Sequence, residues 1–182
     1  MPDCGRACGR TVIGVSDHGT IDLQCDPERQ RFYGTTRYGN LPIDVPFISH
    51  IDGNLYQGGS RTGLILPDYF MHLVTLYPEE QYSVDHTLHS SLAVVLRDTL
   101  DQGFEEVDDI ARWVNTCLRS GPTLVACQAG LNRSGMIVAR SLMMRGMTGG
   151  GAVELIRRAR SRACLCNPSF YRWIVSHDGP GG

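Results

Sequence analysis

The sequence predicts an α/β fold in which a central, mostly parallel, twisted sheet is flanked by helices on both faces. Short apolar segments with the length of buried strands alternate with segments of helical periodicity in the C-terminal half of the chain. The chain has 182 residues, 42% of them hydrophobic, which is enough for one domain with a substantial core. We expect this domain to span 48–176, with an N-terminal extension at 1–47 and a flexible tail at 177–182.

The N-terminal extension carries weak structural signals. Segments 11–15 and 20–23 have the composition of two short strands around a turn, which predicts a short hairpin. Segment 26–46 has many turn-forming residues and little periodicity, so we predict an irregular lead-in to the domain.

Four apolar segments of the domain predict core strands. The segments 72–77 and 91–96 are compact apolar runs, as expected of strands that are buried on both faces. A strand is predicted at 51–57, where the chain leaves a turn and then reaches two consecutive glycines. The last predicted strand, 123–126, is short and lies directly before the segment with the strongest chemical signal.

Four helices complete the predicted pattern. Segment 104–118 has apolar residues at spacings of three and four, acidic residues in its first half and Arg119 after it, as the helix macrodipole favours. Gly121 then ends this helix. Pro67 stands where an additional short helix can begin. Besides 104–118, the remaining three of the four main helices are predicted at 134–145, 151–160 and 168–176.

Composition argues against several classes of protein. The formal net charge of −2 at pH 7 disfavours general binding to nucleic acid. No segment approaches the ~20 apolar residues that a membrane span needs, and the N-terminal residues do not resemble a secretory signal. We therefore expect a cytoplasmic protein without a membrane partner.

The seven cysteines do not predict a disulfide framework, because their number is odd and their spacing irregular. A cytoplasmic setting also keeps thiols reduced. Cys4, Cys8 and Cys25 with His18 are candidate zinc ligands, but no second cysteine pair completes a tetrahedral set. We therefore expect no metal and no other cofactor.

The segment 127–134 carries the strongest chemical signal, because it joins a predicted strand to a predicted helix. The N–H groups of such a loop and the helix dipole create a site that suits a phosphate dianion. Gly130 permits a tight turn, and the planar guanidinium of Arg133 matches two phosphate oxygens. The same positive environment favours a thiolate at Cys127, which is then placed for in-line attack on phosphorus.

The pattern Cys-x5-Arg-Ser between a strand and a helix resembles the signature of the protein tyrosine phosphatases, and CQAGLNRSG resembles their dual-specificity branch. IDGNLYQGG is similar to the first core strand of that branch, and HLVTLYP to the next one. The resemblance covers roughly 48–176. It implies a dual-specificity phosphatase fold and hydrolysis of phosphomonoesters through a phosphocysteine intermediate, with Cys127 and Arg133 as catalytic residues.

The resemblance implies two further catalytic residues. The family has an acidic residue about thirty positions before the cysteine, which protonates the leaving oxygen. Asp98 follows a predicted strand directly and matches best, while Asp101 is the alternative. Ser134 is expected to donate a hydrogen bond to the sulfur of Cys127. The family usually has His before the cysteine, where this chain has Ala126, so we expect a reduced rate.

The predicted phosphate-binding loop has no charged side chain before its arginine. Its members are Gln128, Ala129, Gly130, Leu131, Asn132 and Arg133. We interpret the side chains at 128, 129, 131 and 132 as the pocket-forming ones. Phosphoinositide phosphatases of this superfamily usually carry Lys in the loop, so we expect a phosphorylated protein as substrate, with phosphotyrosine and also phosphoserine or phosphothreonine accepted.

Two alternatives remain open. The sequence Asn132-Arg133-Ser134-Gly135 is similar to the loop of RNA 5′-triphosphatases, and arginines near the C-terminus are candidates for contact with an RNA backbone. We favour a solvated helix end for those arginines, which are Arg157, Arg158, Arg160 and Arg162. The second alternative is a phosphate-binding module without catalysis.

Other side chains receive weaker interpretations. Cys164 and Cys166 are candidate redox partners of Cys127, although we favour a role in the core. Tyr56 and Tyr69 are candidates for the pocket rim.

Overall fold

The computed structural model describes residues 31–177, together with the backbone of two short strands nearer the N-terminus. These strands, β1 (Val15–Ser16) and β2 (Gly19–Thr20), pair in antiparallel fashion, at the place where the sequence predicts a hairpin. The rest of the two predicted strands lies outside the described residues, as do the candidate zinc ligands and all of the predicted tail after residue 177.

Residues 31–46 form an antiparallel hairpin, so the predicted irregular lead-in is wrong for this segment. Strand β3 (Arg31–Thr35) pairs with β4 (Pro42–Pro46), and Phe32 lies opposite Val45. These two are the only fully buried side chains of the hairpin strands. The sequence of this segment therefore shows no continuous alternation of apolar and polar residues. The prolines at the two ends of β4, Pro42 and Pro46, look like turn residues.

A five-stranded sheet lies at the centre of the domain, in the order β5-β6-β9-β7-β8. Three of its four strand pairs are parallel, and β5 alone is antiparallel to its neighbour. The prediction of a mostly parallel sheet is confirmed. The strands are β5 (Ile48–Asp52), β6 (Leu55–Gly59), β7 (His72–Thr75), β8 (Ser90–Ala93) and β9 (Thr123–Cys127).

Strand β9 occupies the middle of the sheet and is buried over its whole length. Its last residue, Cys127, lies opposite Gly59 of β6, while the preceding Ala126 lies opposite Thr75 of β7. In open α/β sheets, ligands bind outside the carboxyl ends of the parallel strands. The sheet order therefore places Cys127 at the edge where a binding site is expected.

The four predicted helices are present, with boundaries that shift by up to three residues. They are α1 (Val107–Cys117), α2 (Arg133–Met144), α3 (Gly149–Ala159) and α4 (Pro168–Ser176). Helix α3 begins two residues earlier than predicted because Thr148 caps it, its hydroxyl accepting from the backbone N–H of Gly151. The short helix predicted at Pro67 is absent: the chain makes a single turn there, with Phe70 N donating to Pro67 O at 3.1 Å.

The two faces of the sheet are covered differently, so the expectation of helices on both faces is wrong for the described residues. All four helices contribute to one core, to which β9 adds Val125 and Cys127. The opposite face receives Leu124 and Ala126 and is covered by the β3–β4 hairpin and irregular chain. The non-helical residues on that face include Phe32, Val45, Leu64, Leu66, Phe70 and Tyr82.

Candidate active site

The side chain of Cys127 is 2% exposed and lies on the helical side of the sheet. Its thiol donates a hydrogen bond to Oγ of Ser134 at 3.4 Å. Ser134 is fully buried in the first turn of α2, so the helix fixes the position of this hydroxyl. When the sulfur is a thiolate, the same distance allows the hydroxyl to donate to it.

The loop between Cys127 and α2 presents unused donors. Within the described part of the chain, none of the backbone N–H groups of residues 129–132 donates a hydrogen bond. The loop ends at the N-terminus of α2, where the helix dipole adds positive potential. Gly130 has φ of +67°, and a Cβ there would collide with the backbone of Gly58 and the guanidinium of Arg160. The loop thus has the geometry of an anion-binding site, and its curvature depends on glycine.

The guanidinium of Arg133 is buried, and one of its donors is unused. The Nη1 atom donates to Leu96 O at 3.3 Å, and the guanidinium carbon lies 4.6 Å from the centre of the Tyr77 ring. The Nε atom is buried without a hydrogen-bond partner among the described residues. A buried N–H without a partner is unfavourable, so this atom is suited to a bound anion.

The two candidate acids have different surroundings. Asp98 accepts hydrogen bonds from Nδ2 of Asn132 and from Nδ2 of Asn167, both at 2.9 Å, one on each carboxylate oxygen. Asp101 is exposed, and the nearby Thr99 hydroxyl together with its own backbone N–H lowers its pKa. A lowered pKa keeps a carboxyl ionised and makes it a poorer proton donor. Of the two, Asp98 has the side chain that is joined to the Cys127 loop.

The predicted pocket-forming side chains do not share one environment. Gln128 is exposed and Ala129 half-buried, whereas the side chain of Leu131 packs in the helical core. Asn132 is buried, and its Oδ1 accepts from the backbone N–H of Asn167 at 3.0 Å. The side chains at 131 and 132 therefore hold the loop in place instead of forming the pocket.

Gln57 is a site residue that the sequence did not reveal. It is fully buried on β6, and its Nε2 donates to Gly130 O at 2.9 Å and to Ser134 Oγ at 3.3 Å. The amide therefore joins the neighbouring strand to the loop and to the hydroxyl beside Cys127. A buried polar residue inside a predicted core strand was the available signal.

Arg160 is the second site residue that sequence reasoning missed. It is 7% exposed, at the end of α3, and donates to Gly130 O at 2.5 Å and to Ala129 O at 3.1 Å. Three further acceptors surround it, namely Pro46 O, Ser49 Oγ and Gln57 O. The prediction of a solvated arginine is wrong here, because the guanidinium is buried and binds the loop carbonyls. The N–H groups of the same loop therefore point away from Arg160.

The remaining arginines of the C-terminal cluster do not form one basic face. Arg157 turns inward, and its Nε donates to Cys164 O at 3.0 Å. Arg158 and Arg162 are exposed. With Arg160 buried beneath the loop, a contact of all four guanidiniums with one RNA backbone is not possible in this arrangement.

The described cysteines are all free thiols. Burial raises the pKa of Cys164 to about 12, so it behaves as a small core residue and not as a reactive thiol. Cys166 is half-buried and donates to Asn132 Oδ1 at 3.4 Å. The predicted core role is confirmed for Cys164, and a redox role for Cys166 stays an untested alternative.

Ala126, where the family usually has His, lies on the opposite side of the sheet from Cys127. It is fully buried in the core between the sheet and the β3–β4 hairpin, and its carbonyl accepts a hydrogen bond from Leu76 N at 2.8 Å. An imidazole at this position would require that core to repack. Of the two tyrosines considered for the rim, Tyr56 lies on β6 opposite Leu124, and its hydroxyl lies 2.8 Å from that of Tyr69, in the turn before β7.

The described residues 31–177 hold neither a membrane-spanning helix nor a metal-binding cluster. No helix in 31–177 has both the length and the apolar character that a membrane span requires. No group of three or more His, Cys, Asp or Glu side chains in the same range is arranged to hold a metal ion.

Sequence comparison finds relatives among viral phosphatases. The chain is 23% identical over 137 residues to dual specificity protein phosphatase OPG106 of vaccinia virus, a match that covers 70% of this chain and 80% of the viral protein. Dual specificity protein phosphatase H1 of variola virus has the same identity and coverage. No family model matches the chain.

Structure comparison finds the same group of proteins. The crystal structure of human DUSP28 has a TM-score of 0.64 at 18% identity and covers 73% of this chain and 93% of that one. A mouse putative dual specificity phosphatase, complexed with zinc tungstate, has a TM-score of 0.63 at 19% identity, covering 73% and 87%. The Orf virus protein OH1, described as a tyrosine phosphatase with triple substrate specificity, has a TM-score of 0.52 at 22% identity, covering 72% and 86%. The chain thus has the dual-specificity phosphatase fold, and the resemblance to that branch is confirmed.

Proposed function

We propose that this protein is a cysteine-dependent phosphatase that hydrolyses phosphomonoesters on proteins through a phosphocysteine intermediate. The observation that carries the proposal is that Cys127 opens a loop of unused N–H donors, which ends at Arg133, whose buried Nε has no partner among the described residues. The similarity to proteins named dual specificity phosphatases supports the same activity.

The first chemical step transfers the phosphoryl group to the enzyme. Phosphate oxygens bind to the N–H groups of 129–132 and to Arg133, which brings phosphorus above the sulfur of Cys127. The thiolate attacks phosphorus, so a sulfur–phosphorus bond forms while the bond to the leaving oxygen breaks. Asp98 donates its proton to that oxygen, because an alkoxide or phenoxide leaves poorly.

The second step regenerates the thiol site. A water molecule attacks the phosphocysteine and gives a proton to the carboxylate of Asp98, inorganic phosphate leaves, and the electron pair of the broken bond returns to sulfur. Oγ of Ser134, which lies 3.4 Å from that sulfur, donates to the departing thiolate and stabilises it.

The proposed acid has a geometric requirement. Both oxygens of Asp98 accept amide hydrogen bonds, from Asn132 and from Asn167. A carboxylic acid that protonates a leaving group needs one O–H directed at it, and in the proposed reaction one of these two bonds opens when substrate is bound.

Phosphotyrosine and also phosphoserine or phosphothreonine of proteins are the proposed substrates. The exposed loop side chain, Gln128, carries no charge that would select a polyphosphorylated lipid. The RNA alternative loses support because Arg157 and Arg160 are bound to the protein's own carbonyls. A cytoplasmic location remains a prediction from the sequence.

A substrate panel tests the proposal. Purified protein is given p-nitrophenyl phosphate and, in parallel, phosphotyrosine peptide, phosphoserine peptide, phosphoinositide and 5′-triphosphate RNA. We expect vanadate-sensitive hydrolysis of the aryl phosphate and of peptides, and loss of that activity in Cys127→Ser. Full activity of Cys127→Ser would overturn the chemistry, and a preference for RNA would overturn the substrate class. Vanadate binding without hydrolysis would identify a phosphate-binding module.

A further inference from the structure

The β3–β4 hairpin, which precedes the predicted domain, reaches from the Cys127 loop to the loop that carries Asp98. At its base, Pro46 O accepts from Nη1 of Arg160 at 2.9 Å, and the same guanidinium binds the carbonyls of the Cys127 loop. The ring of Phe32 lies so close to Gly59, the β6 partner of Cys127, that a Cβ at Gly59 would collide with it. One end of the hairpin is therefore packed against the back of the candidate phosphate-binding loop.

The tip of the hairpin is closed by its own hydrogen bonds. Thr36 N donates to Leu41 O, and Thr36 Oγ1 accepts from Leu41 N, both at 2.9 Å. Gly39 and Asn40 have φ of +74° and +48°, which allow the chain to reverse between the strands. A tip that is fixed in this way holds its remaining side chains in defined positions.

Two side chains of the tip bind the backbone of the candidate acid. The hydroxyl of Tyr38 donates to Asp98 O at 2.9 Å, and Nη1 of Arg37 donates to the same oxygen at 3.4 Å. Burial, followed by the negative charge of Asp98, raises the pKa of Tyr38, so its hydroxyl keeps the proton that it donates. The carboxylate of Asp98 has different partners, Asn132 and Asn167.

We infer that Tyr38 is a positioning residue, which anchors the backbone of Asp98 while its carboxyl changes partners during the reaction. The inference rests on the proposed function and gives the hairpin a role in it. When one amide bond to the carboxylate opens, the Tyr38 bond and the weaker Arg37 bond still hold the residue at the site. The hairpin thus contributes to acid catalysis without touching the reacting atoms.

The effect of Tyr38→Phe should depend on the leaving group. An alkyl phosphate needs a proton on its leaving oxygen, whereas p-nitrophenolate leaves readily without one. We expect Tyr38→Phe to lower kcat/KM about threefold to tenfold on an alkyl phosphate, the range of one hydrogen bond, and less than about twofold on p-nitrophenyl phosphate. Tyr33→Phe is the matched control, because Tyr33 is on the same hairpin and 71% exposed.

A double-mutant cycle separates positioning from a general loss of structure. In an Asp98→Ala background, Tyr38→Phe should have no further effect on the alkyl phosphate, because it acts through Asp98. An equal loss on both substrates, or a loss that persists without Asp98, overturns the inference.

A readout without catalysis keeps this inference separate from the proposed function. Amide hydrogen exchange in 97–103 should be faster in Tyr38→Phe than in wild type and unchanged in Tyr33→Phe. Unchanged exchange in Tyr38→Phe overturns the anchoring role, whatever the activity. If the wild-type protein hydrolyses neither phosphate but exchange is still faster in Tyr38→Phe, the phosphatase proposal is overturned and the anchoring role stands.

Discussion

The guanidinium of Arg133 rests on the ring of Tyr77, with 4.6 Å between the guanidinium carbon and the ring centre. The bond from Nη1 to Leu96 O fixes the guanidinium at a second point. These two contacts leave Nε without a partner and hold it in place before any anion arrives. A binding group that is already ordered loses less conformational entropy when it binds.

Replacing the ring should therefore weaken phosphate binding. A cation–π contact contributes about 0.5–2 kcal/mol, so Tyr77→Leu should lower kcat/KM for p-nitrophenyl phosphate between about twofold and thirtyfold. The inhibition constant of vanadate should rise in parallel, because vanadate occupies the same site. Tyr77→Phe keeps the ring and should stay within about twofold of wild type; an equal loss in both variants would assign the effect to the hydroxyl.

The choice between the two acids has a direct test. Asp98→Ala should lower the rate on an alkyl phosphate more than on p-nitrophenyl phosphate, because only the first leaving group needs a proton. The factor expected for a general acid is on the order of 10²–10⁴. Asp101→Ala should leave both rates within about twofold, since Asp101 is exposed and its lowered pKa keeps it ionised. The reverse pattern would transfer the role of acid to Asp101.

Arg160 should matter for stability as well as for the loop. In Arg160→Met, the carbonyls of Ala129 and Pro46 lose their guanidinium donors, while Gly130 O keeps the bond from Nε2 of Gln57. An unsatisfied buried acceptor costs about 1–3 kcal/mol, so the free energy of unfolding in urea should fall by at least about 2 kcal/mol. Arg158→Met, at an exposed position of the same helix, should change it by less than about 0.5 kcal/mol. Equal stabilities of the two variants would contradict the role assigned to the buried guanidinium.

The parts of the fold that follow from local sequence were predictable. Helix α4 has the predicted bounds, because Asn167 caps it and Pro168 occupies its first position. Cys127, Arg133 and Ser134 were likewise identified from one continuous segment, in which a strand, a loop and a helix follow one another. In such segments the physical reason for the structure lies within a few residues of chain.

The parts that depend on distant contacts were not predictable from the sequence. Arg160 binds Pro46, 114 positions earlier, and Gly130, 30 positions earlier, and nothing adjacent distinguishes it from the exposed Arg158. The strand predicted at 72–77 includes Tyr77, which follows the end of β7 at Thr75, and its contact with Arg133 exists only because β7 lies beside β9. The covering of one sheet face by a hairpin was missed for the same reason, since Phe32 and Val45 are buried by elements far along the chain.

His72 should make stability depend on pH below neutrality. Its ring is 4% exposed, with Nδ1 2.8 Å from Ser90 Oγ and Nε2 2.9 Å from Ser120 Oγ. Burial, and secondly the neighbouring His89, lowers the pKa of His72 in the folded protein. The unfolded chain therefore binds the proton first, at its ordinary pKa of about 6.5, and stability falls as the pH drops through that value.

Urea unfolding between about pH 7.5 and pH 5.5 measures this effect, in a range where carboxyl groups stay ionised. One histidine contributes a slope of at most about 1.4 kcal/mol per pH unit. His72→Gln should lose that part of the slope, because an amide keeps polar contacts with the two serine hydroxyls but does not titrate. His50→Gln is the control, since His50 is exposed and bonded to Gly53 O within its own turn. If the slope is unchanged in His72→Gln, other groups cause the acid sensitivity, because this variant has no imidazole at position 72 that could bind a proton on unfolding.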